Sequence, residues 1–139
     1  MGEGLEAALR AAGHEAELVL LPFAEAPEAQ LVQRAAYRAM EFEGHYDLVV
    51  TLRTPAEIVR HARKVAWLAS IPGAAKGGAT LADRALGDAC ARSLLRGLRE
   101  ARRVLATSED VAGYLLGAGL DAGIVAPDDW GAAVGQVLA

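Results

Sequence analysis

With a single cysteine, Cys90, in 139 residues, the chain cannot close an internal disulfide. The thiol falls in an apolar helical pattern, so a buried, unreactive side chain is expected, and with it a reducing compartment. Aromatic residues are scarce, at 5%, while apolar residues reach 53%. Small-residue helices packed closely on a sheet have that composition, and disordered chains do not. Positive charge is in deficit: 14 Lys and Arg against 18 Asp and Glu leave a net charge of −4. Neutralising a phosphate backbone needs the opposite sign, so no nucleic acid partner is expected. No apolar run approaches the ~18–20 residues that cross a bilayer, so no transmembrane segment is expected. Met1-Gly2-Glu3-Gly4 has no basic stretch leading into an apolar one, and is not read as a secretory signal. These absences point to a cytoplasmic protein, with a length that suits one domain over residues 1–139.

What is present alternates between two periods. Leu5, Ala8, Leu9 and Ala12 mark one face of a helix, and Gly13 is placed to cap it. Glu17 to Leu21 reads as a buried strand ended by Pro22, followed by a helix from Ala26 to about Phe42. Tyr46 to Thr51 is the next strand. Thr54 is placed to cap a short helix with Pro55 as its first residue. Lys64 to Ala69 forms a third strand, stopped by Pro72 and Gly73, and a flexible loop is expected over 73–80. Leu86, Cys90, Leu94 and Leu98 then stripe a long helix from about Leu81 to Glu100. Arg103 to Thr107 is a fourth strand, Ser108 caps the helix that runs to Gly117, and Ala122 to Val125 is a fifth. After Pro127, Asp128 or Asp129 starts a last helix through Leu138. The alternation predicts an α/β domain: a mostly parallel sheet of about five strands with helices on both faces.

His14, His45 and His61 lie far apart with no metal-ligand spacing, and neither a Gly-x-Ser-x-Gly elbow nor a Walker loop occurs. Neither a metal nor an organic cofactor is expected.

Several segments, in order, resemble the N-terminal domain of family-4 retaining glycosyltransferases of the GT-B type. Gly2–Glu6 and Ala11–Val19 resemble the end of that family's glycine-rich loop, its first helix and the turn into its second strand. Tyr46–Ala56 running on into Val59–Leu68 is similar to a subgroup in which a "DLVIALK" strand precedes "PA" and "VRHPRKVVWL". Arg102–Ala112 is similar to the family's "ISRNVAERL" strand-to-helix junction, and Asp128–Val134 resembles a short closing helix. The resemblance implies a Rossmann-like domain. It also implies transfer of a sugar from a nucleotide donor to a glycan, lipid or small-molecule acceptor, which the N-terminal domain holds.

Three departures shape what is carried over. No C-terminal, donor-binding domain follows, and Glu17 and Glu25, though eight apart, match its Glu-x₇-Glu pattern by coincidence. Ser70 stands where the subgroup has a histidine, and a hydroxyl cannot replace imidazole as an acid, base or charge-stabilising group. The family's first strand, which lies between those at 17–21 and 48–52, is apparently missing. Its loss leaves three outcomes open: the neighbours pair directly, a partner supplies a strand, or the true start lies upstream. The expectation is an acceptor-binding half-domain that is not catalytic alone and needs a separate donor-binding domain or a homo-oligomer. The alternatives are a non-catalytic Rossmann-like interaction module and a truncated fragment of a full glycosyltransferase.

Ligands of open parallel sheets sit beyond the carboxyl ends of the strands. Gly4, Arg53, Thr54, Ser70 and Ser108 fall there and are the acceptor-binding candidates, with Arg53 suited to an anionic or hydroxylated acceptor. No catalytic residue is assigned. Thr54 and Ser108 equally suit helix caps, and Arg53 a solvated loop. Two basic groups remain. Arg60, His61, Arg63 and Lys64 read as a solvated rim or an anion site. Arg92, Arg96, Arg99 and Arg103 read as the water side of a helix or a face toward anionic lipid.

Overall fold

The computed structural model describes residues 1–24, 26–70 and 80–139. Its helices are α1 (Gly2–Ala11), α2 (Pro27–Ala39), α3 (Leu81–Arg99), α4 (Glu109–Gly117) and α5 (Trp130–Leu138). Its strands are β1 (Val49–Thr51), β2 (Lys64–Leu68), β3 (Arg103–Ala106) and β4 (Gly123–Ile124). The strands form one all-parallel sheet in the order β1-β2-β3-β4, with Thr51 beside Ala66, Leu68 beside Ala106, and Ala106 beside Ile124.

Alternation along the strands sends side chains to two faces. Ala66, Leu68, Val104 and Ala106 meet Leu94 and Leu98 of α3 and Val111 and Leu115 of α4. On the other face Val65, Trp67 and Leu105 meet Leu5 of α1 and Ala133 and Val137 of α5. All five residues of β2 are buried, as a central strand covered on both sides requires. Helix α2 packs beside α3, its Tyr37 against Ile58 and Val59 of the β1–β2 connection.

The expected caps at three helix ends form. Gly13 takes φ +89, which a residue with a Cβ rarely adopts, just past α1. The Ser108 hydroxyl accepts from the Val111 amide, and Asp129 Oδ1 accepts from the Ala132 amide at 3.0 Å. Other expectations are corrected. Among the described residues the sheet has four strands, not about five, because Glu17–Leu21 joins no ladder. The apolar pattern there is strand-like, but a strand exists only through its partner, and among the described residues β1 pairs with β2 alone. Leu20 is therefore 83% exposed. The short helix after Thr54 is a single 3₁₀ turn, Ala56–Ile58, with Pro55 rather than Thr54 as its N-cap residue. Cys90 is half-buried, not buried, since the N-terminal half of α3 extends past the core that holds Leu94 and Leu98. The loop expected at 73–80 lies outside the described residues, Thr80 excepted. No described helix is long and apolar enough to cross a membrane.

Candidate functional site

Because the strands are parallel and in register, Leu52-Arg53, Ala69-Ser70 and Thr107-Ser108 leave the sheet at the same edge. The Thr107 amide donates to the Leu68 carbonyl and the Thr107 hydroxyl to the Ala69 carbonyl, each at 3.1 Å, which ties the Ser70 and Ser108 loops together. Both serines are exposed. Arg53 stands on the β1 side of this edge, exposed, its guanidinium free of partners among the described residues. Thr54 turns inward: its hydroxyl accepts from Arg34 Nη2 at 2.8 Å and donates to Glu57 Oε1 at 3.2 Å. Gly4 also faces the protein. A Cβ there would lie 2.7 Å from both Cε2 and Cη2 of the Trp130 indole, so the glycine lets α1 approach α5.

Behind Arg53 lies a charged cluster that the sequence reading did not isolate. Arg34 and Glu57 form an ion pair with side chains 5% and 3% exposed. Lys64, fully buried at the start of β2, donates its Nζ to the carbonyls of Glu57 (2.7 Å) and Val59 (2.9 Å). Burial pushes its pKa down, opposed by the charges of Glu100 and Glu57. One signal was there to find: Arg34 comes three residues after Leu31 and three before Tyr37, on the helix face turned to the core. Lys64 and His61 are thus not on a solvated rim, although Arg60 and Arg63 are exposed. His61 Nε2 donates to the Tyr46 carbonyl at 2.8 Å and Nδ1 accepts from the Arg63 amide at 3.1 Å, so both ring nitrogens are engaged.

A cavity of about 640 Å³ separates β1 from the extended segment at 17–23. Leu18, Leu21, Leu48, Val50 and Leu52 give it apolar walls, and Arg53 and Thr54 stand among its lining residues. At another point Tyr46 donates its hydroxyl to Glu17 at 2.9 Å, which bridges the two walls and holds the phenol pKa above its ordinary value. Tyr37 and Thr51 are also among its lining residues, and their hydroxyls, Oη and Oγ1, are buried without a hydrogen-bond partner among the described residues. Burial raises the Tyr37 pKa, so at neutral pH this hydroxyl is a donor as well as an acceptor. Unpaired buried hydroxyls cost about 1–3 kcal/mol each, so a group that bonds them recovers that loss.

Fold and cavity together define an α/β parallel-sheet domain with an apolar pocket that carries a few polar groups, the usual make-up of a small-molecule site. Among the described residues no group of three or more His, Cys, Asp and Glu is placed to hold a metal. Comparison with protein-family models, with curated proteins and with solved structures finds no match for this chain.

Proposed function

We propose that the chain is the acceptor-side, Rossmann-like half of a GT-B-type sugar transferase, and that it holds an amphiphilic, hydroxyl-bearing acceptor in the cavity beside β1. The observation that carries this reading is a cavity with largely apolar walls that has Arg53, Tyr37 and Thr51 in its lining, the last two with hydroxyls that are unpartnered among the described residues. Apolar walls suit an alkyl or ring face, and the hydroxyls and guanidinium suit a sugar or alcohol. The similarity of Tyr46–Leu68 to the glycosyltransferase subgroup supports the same reading, since this segment folds as β1, the 3₁₀ turn and β2. Transfer itself needs a separate nucleotide-sugar-binding domain. Ser70, Thr107 and Ser108 at the carboxyl edge bring only hydroxyls, and His61 is committed to the backbone.

The test is calorimetric binding of octyl glucoside, kept below its micelle concentration, to the wild-type chain and to Tyr37→Phe, Thr51→Val and Arg53→Gln variants. Binding that weakens in all three supports the reading. Equal binding by all four chains, or turnover of UDP-glucose by the chain alone, rejects it. Tyr37→Phe and Thr51→Val remove a hydroxyl with no partner, so they leave stability unchanged or raise it.

A second reading, an interaction module, is favoured by the outer edge of β1, which pairs with no strand among the described residues. Unpaired edges recruit strands from other chains, and Val19, Leu20 and Phe23 across the cavity are exposed. In this reading the space admits an extended apolar segment, and the chain works by completing a partner's sheet or its own second copy's.

A further inference from the structure

The cavity beside β1 leaves the basic side chains of α2 and α3 without a role. Arg34 and Arg38 on α2, and Arg92 and Arg96 on α3, are two pairs four residues apart, and all four line one groove between the helices. The groove holds about 320 Å³ and has an apolar floor of Leu31, Ala35 and Ile58, with Ser93 on the α3 wall. Two carboxylates partly offset the arginines. Glu57 takes Arg34, while Glu100 takes Arg38 through both oxygens (2.7 and 2.8 Å) and Arg96 at 3.3 Å. Arg92 has no ion pair among the described residues. Four guanidiniums thus face two carboxylates in a chain whose net charge is −4.

Helix ends account for only part of this. Arg38 lies in the last turn of α2 and Arg96 in the last turn of α3, where the carbonyl ends attract cations. Arg34 and Arg92 each lie one turn earlier, beyond the reach of that effect. Arg34 is 4% exposed and its Nε has no hydrogen-bond partner among the described residues, although its Nη atoms hold Glu57, Ser93 and Thr54. A guanidinium nitrogen buried without an acceptor beside a groove of excess positive charge is a donor whose need is unmet, and the accessible guanidiniums of that groove are those of Arg92 and Arg96.

We propose that this groove binds an oxyanion of the phosphate type, a phosphoryl or pyrophosphoryl group that is either free or carried on a lipid headgroup. Guanidiniums bind such groups through paired, charge-assisted hydrogen bonds, and Arg92 and Arg96 supply the exposed, adjustable forks. The Ser93 hydroxyl adds a neutral donor. Glu100 limits affinity, because Arg38 and Arg96 must leave it or share it.

The test is isothermal titration of the full chain with sodium pyrophosphate against sodium chloride at matched ionic strength. It is paired with flotation on phosphatidylcholine vesicles with and without phosphatidic acid. Arg92→Gln is exposed and unpaired, so it keeps the fold; it is expected to weaken binding about tenfold, the worth of one charge-assisted contact. Glu100→Gln frees Arg38 and Arg96 and is expected to tighten binding. Pyrophosphate binding without flotation supports the groove and identifies a free anion. Flotation that pyrophosphate competes away supports it and identifies a headgroup. The proposal is overturned by no response beyond the chloride control in both arms, or by binding that neither substitution alters.

Discussion

Arg34 and Glu57 form an ion pair sealed from solvent, and through Glu57 it joins three elements to the connection that leads out of β1. The Glu57 carbonyl accepts from Lys64 at the head of β2, and its carboxylate holds Thr54, next to Arg53. On α3, Gly97 comes so close that a Cβ there would lie 2.6 Å from the Glu57 carbonyl oxygen. The position of Arg53 at the cavity is thus set by buried charge, not by the turn alone.

Breaking one side of that pair leaves the other charge buried and unpaired, which costs about 3–5 kcal/mol. Arg34→Met and Glu57→Leu should each lose that much in urea unfolding, a large share of the ~5–15 kcal/mol typical of a domain. The double variant should lose less than the sum, because no charge is stranded. Additive losses would mean the pair is not coupled.

Gly4 and Gly113 both sit in helices but should respond oppositely to alanine. At Gly4 the new methyl meets the Trp130 ring, and overpacking of this kind costs about 1–3 kcal/mol. At Gly113 of α4 a Cβ meets nothing within 4 Å, so alanine should stabilise by roughly 0.5–1 kcal/mol. Thermal unfolding reads both, and tryptophan fluorescence should change only for Gly4→Ala, because Trp67 and Trp130 stack edge to face at 6.4 Å. A Gly4→Ala chain as stable as wild type would mean that α1 and α5 are not held this closely.

The elements written in local pattern were legible: α3, α4 and α5, the Ser108 and Asp129 caps, and the parallel order of β2 and β3. What stayed hidden depends on residues distant in sequence. Leu18 to Leu21 carries strand propensity, but no local signal says that β1 stays apart from it. Arg34 meets Glu57 across 23 residues, and charge next to charge in the sequence gave Lys64 and His61 a solvated appearance that tertiary contacts reverse. Of the five acceptor-site candidates, Ser70 and Ser108 come together and Arg53 reaches the cavity. Thr54 and Gly4 face the interior because a buried guanidinium and an indole lie beside them.

Lys64 gives the chain a distinct alkaline response. Its pKa is lowered in the folded protein, chiefly by burial, while in the unfolded chain it stays near the ordinary ~10.4. Between those values the unfolded state binds more protons, so stability rises with pH; below the folded pKa both states are charged and the effect is flat. Tyr37, whose pKa is raised, acts in the opposite sense only above its ordinary value of 10.0. Urea unfolding of wild type and Lys64→Met from pH 7 to 10 isolates the contribution. The difference should move in favour of wild type as pH rises, and a constant difference would show that Lys64 keeps an ordinary affinity for protons.

The free edge of β1 separates the two functional readings through its amides. In a parallel ladder successive residues point their backbone groups to alternate sides. The Val49 amide donates to the Arg63 carbonyl at 3.2 Å, and Thr51, beside Ala66, points the same way. Val50 therefore turns its amide and carbonyl toward the cavity. Hydrogen exchange should be fast at Val50 and slow at Trp67 and Leu105, which lie in the centre of the sheet. An added strand must pair with Val50 and would slow its exchange selectively while leaving Val49 and Thr51 as they were. A bound octyl glucoside engages the Thr51 and Tyr37 hydroxyls and has no row of carbonyls to offer, so Val50 should remain fast. Slow exchange at Val50 in the isolated monomer would contradict both readings, since the edge would already be paired.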